Sequence, residues 1–372
     1  MKKYLIYVDP SNSNKYYNME LNGSTINVEY GRVGSTKMTG TYPQSNWDSL
    51  LRSKLRKGYT DITDLKTSIQ VEVTESSNKD FNDFFDIFKK YTGNFVRTNY
   101  SVEGCTNTQI EHAQKILDAL TNINTIADFN KYLVDLFKVI PRRMYHVKDH
   151  LLYDIKDKND IIRREQDSLD GMNSLNTISV SNPFDELDIE FRLIDTPLAV
   201  QQLYDMGNNG RYKIHKCYEV VDKTNITSYN DWLNKQINKK TMYLIHGTRN
   251  PNVFNILKTG LLIRPSNAAV ISGAAYGDGV YHSAHTAKSL GYTGHDPDKI
   301  FFIQDVHMGQ EYTYSGWYRD GKDININQMN YKDLKSLGYD SLYVKPGDGL
   351  QNSEYIVYNK EQTITKYLLH LK

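Results

Sequence analysis

The hydrophobic period of this 372-residue chain changes twice, and no single sheet or bundle satisfies all three patterns. Residues 1–66 read as short strands with one helix. Tyr4–Val8, Tyr16–Leu21 and Thr25–Tyr30 are strand-like, with a polar turn at Ser11–Lys15 and a hairpin signal at Asn22-Gly23. Trp47, Leu50, Leu51 and Leu55 then recur at helical spacing, and Gly58 closes that helix. A Val-rich strand at Ile69–Val73 and a polar linker, Glu75–Asp80, follow. Residues 81–178 carry helical stripes. Phe81, Phe84, Phe85 and Phe88 form one, Thr108–Leu120 and Phe129–Ile140 two more, and Asn159–Leu175 a charged fourth. Residues 179–372 return to short strands at Asp188–Ile194, Tyr212–Val221, Met242–Ile245, Lys299–Val306, Ser341–Val344 and Glu354–Tyr358. Helices are expected there at Leu198–Met206, Asn252–Thr259, Ala284–Leu290 and Asn330–Ser336. The expected layout is therefore three parts, 1–80, 81–178 and 179–372, of α+β class.

Charge narrows the function classes. Lys+Arg 45 against Asp+Glu 44 excludes a globally basic nucleic-acid coat. Residues 1–66 nevertheless hold ten Lys/Arg against six Asp/Glu, a local +4, and Arg52, Lys54, Arg56 and Lys57 share one helix. Such a run is ordinarily a solvated face. Two cysteines build neither a disulfide framework nor a Cys-based zinc finger, and suit a reducing compartment. No stretch approaches the 18 apolar residues of a membrane span, and the opening MKKYLIYVDP reads as a first strand rather than a signal peptide.

Chemistry concentrates in three clusters of the last third. In Tyr243–Arg249 an apolar strand runs into His246 and Gly247. A glycine there lets a ligand approach the backbone and meet an N–H and a C=O, the pair a primary carboxamide needs. The plain alternative is a strand end with a structural histidine. The second cluster is Tyr276–Ser283, followed by Lys288, Ser289 and Tyr292. Its G-x-G lacks the third glycine and the setting of a dinucleotide fold. Tyr281 and Tyr292 can sandwich a flat heterocycle, or can be core tyrosines. In the third cluster Glu354 opens an apolar strand. Such a carboxylate is usually idle at a surface; in a cleft it binds a hydroxyl and stabilises developing positive charge. His282, His285, His295 and His307 lack a zincin pattern, so no metal is expected, and no G-x-S-x-G marks a serine hydrolase.

Together the clusters resemble the catalytic domain of the poly(ADP-ribose) polymerase family, which uses a His–Tyr–Glu triad. The His lies in HGTRN, the Tyr in GDGVY and the Glu in SEYIVY, in family order. Upstream, Asn14–Tyr17, Tyr30–Gly34 and Lys54–Tyr59 look like the family's DNA-sensing WGR domain, and the helical middle is similar to its autoinhibitory helical domain. The resemblance covers nearly the whole chain, without the zinc fingers and BRCT domain of the largest members. Two positions depart from the pattern. Tyr30 replaces the signature Trp of WGR. Leu262 replaces an Arg near the adenosine end, and Arg264 is the candidate to stand in for it.

The resemblance implies a small β-rich WGR domain, an all-α domain and a transferase domain of antiparallel and mixed sheets. It implies NAD as substrate, with His246, Tyr281 and Glu354 catalytic and Gly247, Thr248, Arg264, Ser289 and Tyr292 binding NAD. His246 would hold ribose hydroxyls, and Glu354 the nicotinamide-ribose 2′-OH, favouring the oxocarbenium-like transition state. Tyr30, Arg32, Arg52, Lys54, Arg56 and Lys57 would contact DNA. The expected function is a DNA-break-activated, polymer-forming transfer to protein acceptors including the enzyme itself, away from membranes. It would be cytoplasmic in a bacterium and nuclear in a eukaryote. The alternatives are single ADP-ribose transfer and an inactive DNA- or NAD-binding scaffold.

Overall fold

The computed structural model describes residues 1–66, 79, 80, 82–84, 86, 105–180, 189–263, 275–294, 296–314, 326–347 and 350–372. The strand expected at Ile69–Val73, the residues Phe81, Phe85, Phe88 and His295, and the candidate Arg264 lie outside them. The chain forms two compact units. One comprises residues 1–72, 92–181 and 266–270; the other comprises 73–91, 182–265 and 271–372.

In the first unit, strands β1 (Lys2–Asp9), β2 (Ser13–Asn22), β3 (Thr25–Arg32) and β4 (Met38–Pro43) precede helix α1 (Trp47–Arg56) and the short β5 (Thr60–Asp61). They form one antiparallel sheet of order β4-β3-β2-β1-β5. Period-two patterning assigns its faces. Leu5, Tyr17, Met19, Ile26 and Val28 pack with Trp47 of α1. Ile6 and Val8 face the other way, into a core with helices α2 (Asn107–Thr121), α3 (Ile126–Val139) and α4 (Lys158–Val180). Thr106 and Gln109 close a capping box on α2, and Thr125 caps α3. Gln109 also donates to the Val139 carbonyl at 2.6 Å, tying the start of α2 to the end of α3.

The segment after α3 is pinned to the sheet by polar contacts. Asn14 donates to the Arg142 carbonyl at 2.8 Å, and the Asn12 carboxamide oxygen accepts from the Val147 N–H at 3.1 Å. The Arg32 guanidinium donates to the Asn12, Met144 and Tyr145 carbonyls at 2.9, 2.9 and 2.8 Å. Arg142 in turn makes a buried 2.7 Å ion pair with Glu165 of α4.

The second unit contains β6 (Ile189–Ile194), α5 (Leu198–Asp205), β7 (Ile214–Asp222), α6 (Lys223–Asn234), β8 (Thr241–Gly247) and α7 (Val253–Thr259). These are followed by β9 (Val280–His282), α8 (Thr286–Leu290), β10 (Lys299–His307), β11 (Glu311–Tyr314), α9 (Tyr331–Ser336), β12 (Ser341–Val344), β13 (Glu354–Val357) and β14 (Thr363–Leu371). One sheet runs β6-β7-β14-β10-β8 and is antiparallel throughout; the other runs β11-β12-β13-β9, with β11 and β12 parallel. This is the α+β class that the sequence predicts, with the antiparallel and mixed sheets that the family resemblance implies. Strand β14, which the periodicity does not reveal, lies inside the five-stranded sheet between β7 and β10. Its residues TITKYLLHL are covered on both faces, so the alternation that marks a half-buried strand is missing. Phe84, the one described member of its predicted stripe, packs against Phe191 and Tyr218 of this unit, with ring centroids 5.2 and 5.3 Å away.

Candidate active site

A backbone bridge links the two sheets of the second unit. Ile245 and Ser283 exchange backbone hydrogen bonds of 2.8 and 2.9 Å, joining the end of β8 to the end of β9. This junction brings the three sequence clusters together. A cleft there is lined by His246 and Gly247 from β8, Tyr281, His282 and Ser283 from β9, Lys288, Ser289 and Tyr292 from α8 and its exit, and Glu354 from β13. Antiparallel pairing of β13 with β9 sets Tyr355 opposite His282 and Ile356 opposite Tyr281, so Glu354 starts its strand beside the same rim.

His246 Nδ1 lies 3.0 Å from the Tyr281 carbonyl, which only accepts. The proton therefore sits on Nδ1, and Nε2 keeps a lone pair able to accept from a hydroxyl. Burial pushes the His246 pKa down, partly offset by that carbonyl, so the ring is neutral at physiological pH. The Tyr281 hydroxyl donates to the Gly277 carbonyl at 2.8 Å and accepts from the Tyr276 N–H at 2.9 Å. Its proton is committed to the backbone, and burial pushes its pKa up, which leaves the ring as a fixed wall of the cleft. Tyr292 is half-exposed at the cleft's edge.

Gly247 is required by contact rather than by its backbone angles. A Cβ at this position would lie 2.1 Å from the backbone oxygen of Ser289. The close approach keeps the Gly247 backbone and Ser289 side by side, a donor–acceptor pair next to a buried hydroxyl-bearing residue.

Glu354 is buried, and its carboxylate accepts from Lys288 Nζ at 2.7 Å. Lys288 also donates to the Asn352 carbonyl at 3.1 Å. Burial lowers the Lys288 pKa while Glu354 raises it. The carboxylate is thus held in place by a cation that the sequence reading left without a role. The available signal was the carboxylate itself, since a buried acid needs a partner. His282 was likewise missed. It is buried 6.2 Å from His246, ring centroid to ring centroid, and burial drives its pKa down to about 3.

Other predicted residues fall elsewhere. Thr248 is buried just beyond Gly247, within 3.4 Å of the Asn252 amide nitrogen, and does not line the cleft. Of the six cations and aromatics predicted to meet DNA, Arg52, Arg56 and Lys57 face solvent. Arg32 spends its donors inside the first unit. Lys54 lies 3.8 Å from the Tyr17 ring centroid, and burial lowers its pKa. Tyr30 is half-buried with its ring 5.7 Å from that of Tyr17. Among the described residues no three His, Cys, Asp or Glu side chains gather as metal ligands, and no helix is long and apolar enough to cross a membrane.

Comparison with known proteins places two domains. Residues 190–372 match the poly(ADP-ribose) polymerase catalytic domain, and residues 1–66 match the WGR domain. The poly [ADP-ribose] polymerase-like protein 100L of Invertebrate iridescent virus 6 is 47% identical over 163 residues, 44% of this chain and 87% of that protein. The uncharacterized protein 101L of the same virus is 35% identical over 177 residues, 46% of this chain and 75% of that protein. Poly [ADP-ribose] polymerase 1 of Gallus gallus is 29% identical over 161 residues, 37% of this chain but 15% of its own length.

Proposed function

The chain belongs to the poly(ADP-ribose) polymerase family and is an NAD-consuming ADP-ribosyltransferase; from that premise we propose that it is a DNA-break-activated, polymer-forming member, with its chemistry carried by His246, Tyr281 and Glu354. The observation that carries the reading is the convergence of those three residues, from three separated sequence clusters, on the single cleft at the β8–β9 junction.

In this reading the nicotinamide carboxamide pairs with the Gly247 backbone and the Ser289 hydroxyl, and its ring lies between Tyr281 and Tyr292. His246 Nε2 accepts from a ribose hydroxyl, while Thr248 and Arg264 serve the adenosine end. Glu354 accepts from the nicotinamide-ribose 2′-OH. As the C1′–N bond breaks and nicotinamide leaves, C1′ gains positive charge, and the carboxylate stabilises that state more than the ground state. The same carboxylate then polarises the attacking hydroxyl of a protein side chain or of a growing chain, which favours polymer over single transfer. Lys288 fixes the carboxylate's position. Residues 1–80 sense nucleic acid, 81–178 restrain the site and 179–372 carry out transfer. The solvent-facing Arg52, Arg56 and Lys57 meet phosphates, with Tyr30 and Lys54 behind them.

Incubation of the full chain with labelled NAD, with and without nicked duplex DNA, tests this. The expected result is a slow-migrating smear that intensifies with nicked DNA. A sharp labelled band assigns single transfer instead, equal labelling without DNA removes the break-sensing reading, and absence of label overturns the enzymatic one.

A further inference from the structure

Resting on the reading of this cleft as the NAD site, we propose that the turn after α5, Met206–Gly207, positions the residues that hold nicotinamide, and that it acts through His285. Those residues lie on α8 and its exit, which bring Lys288, Ser289 and Tyr292 to the cleft. Helix α8 is only five residues long, too short to be stable by itself. His285 stands at its N-cap and makes no capping hydrogen bond with its side chain. The orphan N–H groups of the first turn therefore need acceptors from another segment.

The turn supplies them. The Thr286 N–H donates to the Met206 carbonyl at 2.9 Å, and the Ala287 N–H donates to the Gly207 carbonyl at 3.3 Å. The Thr286 hydroxyl donates to the Tyr204 carbonyl at 2.5 Å. The Tyr204 hydroxyl in turn donates to the Tyr212 carbonyl at 2.6 Å, which closes the loop on itself. Position 207 admits only glycine, for two reasons. Its φ of 67° lies in the left-handed region. A Cβ there would also fall 1.9 Å from Cε1 and 2.1 Å from Nδ1 of the His285 ring. The imidazole thus occupies the space a side chain would need, and the turn lies directly against the start of α8.

Hydrogen bonds carry that placement onward. The His285 carbonyl accepts from the Ser289 N–H at 3.2 Å, and the Ser289 carbonyl accepts from the Tyr292 N–H at 3.2 Å. The same Ser289 carbonyl is the atom packed against Gly247. A shift at His285 therefore reaches the hydroxyl and the ring assigned to nicotinamide. Lys288 has a separate anchor in the Glu354 carboxylate and the Asn352 carbonyl. Disturbing the turn should therefore weaken binding and raise the KM for NAD more than it lowers kcat. Gly210 provides the comparison. It lies in the same loop with a φ of 75°, but nothing stands within 4 Å of an added Cβ. Alanine at 210 brings similar backbone strain without touching His285.

Calorimetry of the full chain with benzamide, which keeps the flat ring and the carboxamide, tests the role. Stoichiometry reads the folded fraction, and affinity reads the geometry of the folded site. Gly207→Ala should bind about tenfold more weakly and raise the KM for NAD by a similar factor, with kcat within about threefold of native. Gly210→Ala should match the native chain. Adding His285→Ala to Gly207→Ala frees the space and should return affinity to within about threefold of native. Should Gly207→Ala fail to fold, as judged by its thermal transition, His285→Ala alone takes its place, with an expected loss of about threefold. Native affinity in the turn variants, or an equal loss in Gly210→Ala, would overturn the positioning role. Ser289→Ala separates that failure from failure of the cleft assignment. If Ser289→Ala binds benzamide as the native chain does, the nicotinamide reading falls and the proposal with it. If it weakens binding while the turn variants do not, the positioning role alone falls.

Discussion

Gly247 makes the sharpest case at the scale of single residues. Any side chain there meets the Ser289 backbone oxygen, which cannot rotate away. Gly247→Ala should therefore abolish binding of nicotinamide-like inhibitors, measured by calorimetry, while thermal unfolding shows the chain still folded. Unchanged affinity would place the carboxamide elsewhere. A second prediction concerns pH. Burial holds His282 neutral in the folded chain down to about pH 3, whereas the unfolded residue takes up a proton near its ordinary value. The unfolded state binds more protons between those limits, so stability is fully present at neutral pH and falls as the solution is acidified. One such group contributes a slope of about 1.4 kcal/mol per pH unit. His282→Phe should be less sensitive to acid between pH 6 and 4 by roughly that slope, read from urea unfolding. A parallel loss in both proteins would assign the acid sensitivity to other groups. The clusters that bring His246 and Glu354 to one cleft are legible in the sequence because their neighbours form a pattern. The Lys288–Glu354 ion pair and the buried His282 are not, because they arise from burial and a partner's position, which spacing does not encode.

The sheet strands of the first unit and the α1 stripe could be read from alternation and helical spacing, since each has one wet face. Strand β14 could not, because it is covered on both. Arg32 shows a different limit at the scale of elements. In sequence it is a cation in a glycine-rich turn next to an aromatic, which suggests phosphate contact. In the fold it links the end of β3 to the Met144 and Tyr145 carbonyls, joining the sheet to the segment between α3 and α4. Truncation would leave those carbonyls without their charged donor, at a cost of about 1.5–3 kcal/mol. Arg32→Ala should lower the unfolding free energy by that order and leave the salt dependence of DNA binding unchanged. A slope that falls by about one instead makes Arg32 a phosphate contact.

The whole molecule carries a net charge of +1, so attraction to nucleic acid must come from a local surface. With Arg52, Arg56 and Lys57 facing solvent, the log–log salt slope for nicked duplex should be roughly −2 to −4. Fluorescence anisotropy across salt concentrations measures it, and salt-insensitive binding would remove these cations from the interface. The catalytic unit makes the stronger demand on the account, since all of its chemistry is assigned to one cleft. The direct measurement is nicotinamide release from NAD by the full chain and by Glu354→Gln, with binding of a nicotinamide-like inhibitor followed in parallel. The amide keeps the shape and an acceptor for Lys288 but removes the charge that the proposed mechanism sets against C1′. The account predicts unchanged inhibitor binding and a rate lower by about 10²–10³; a variant that turns over NAD at nearly the native rate would contradict it.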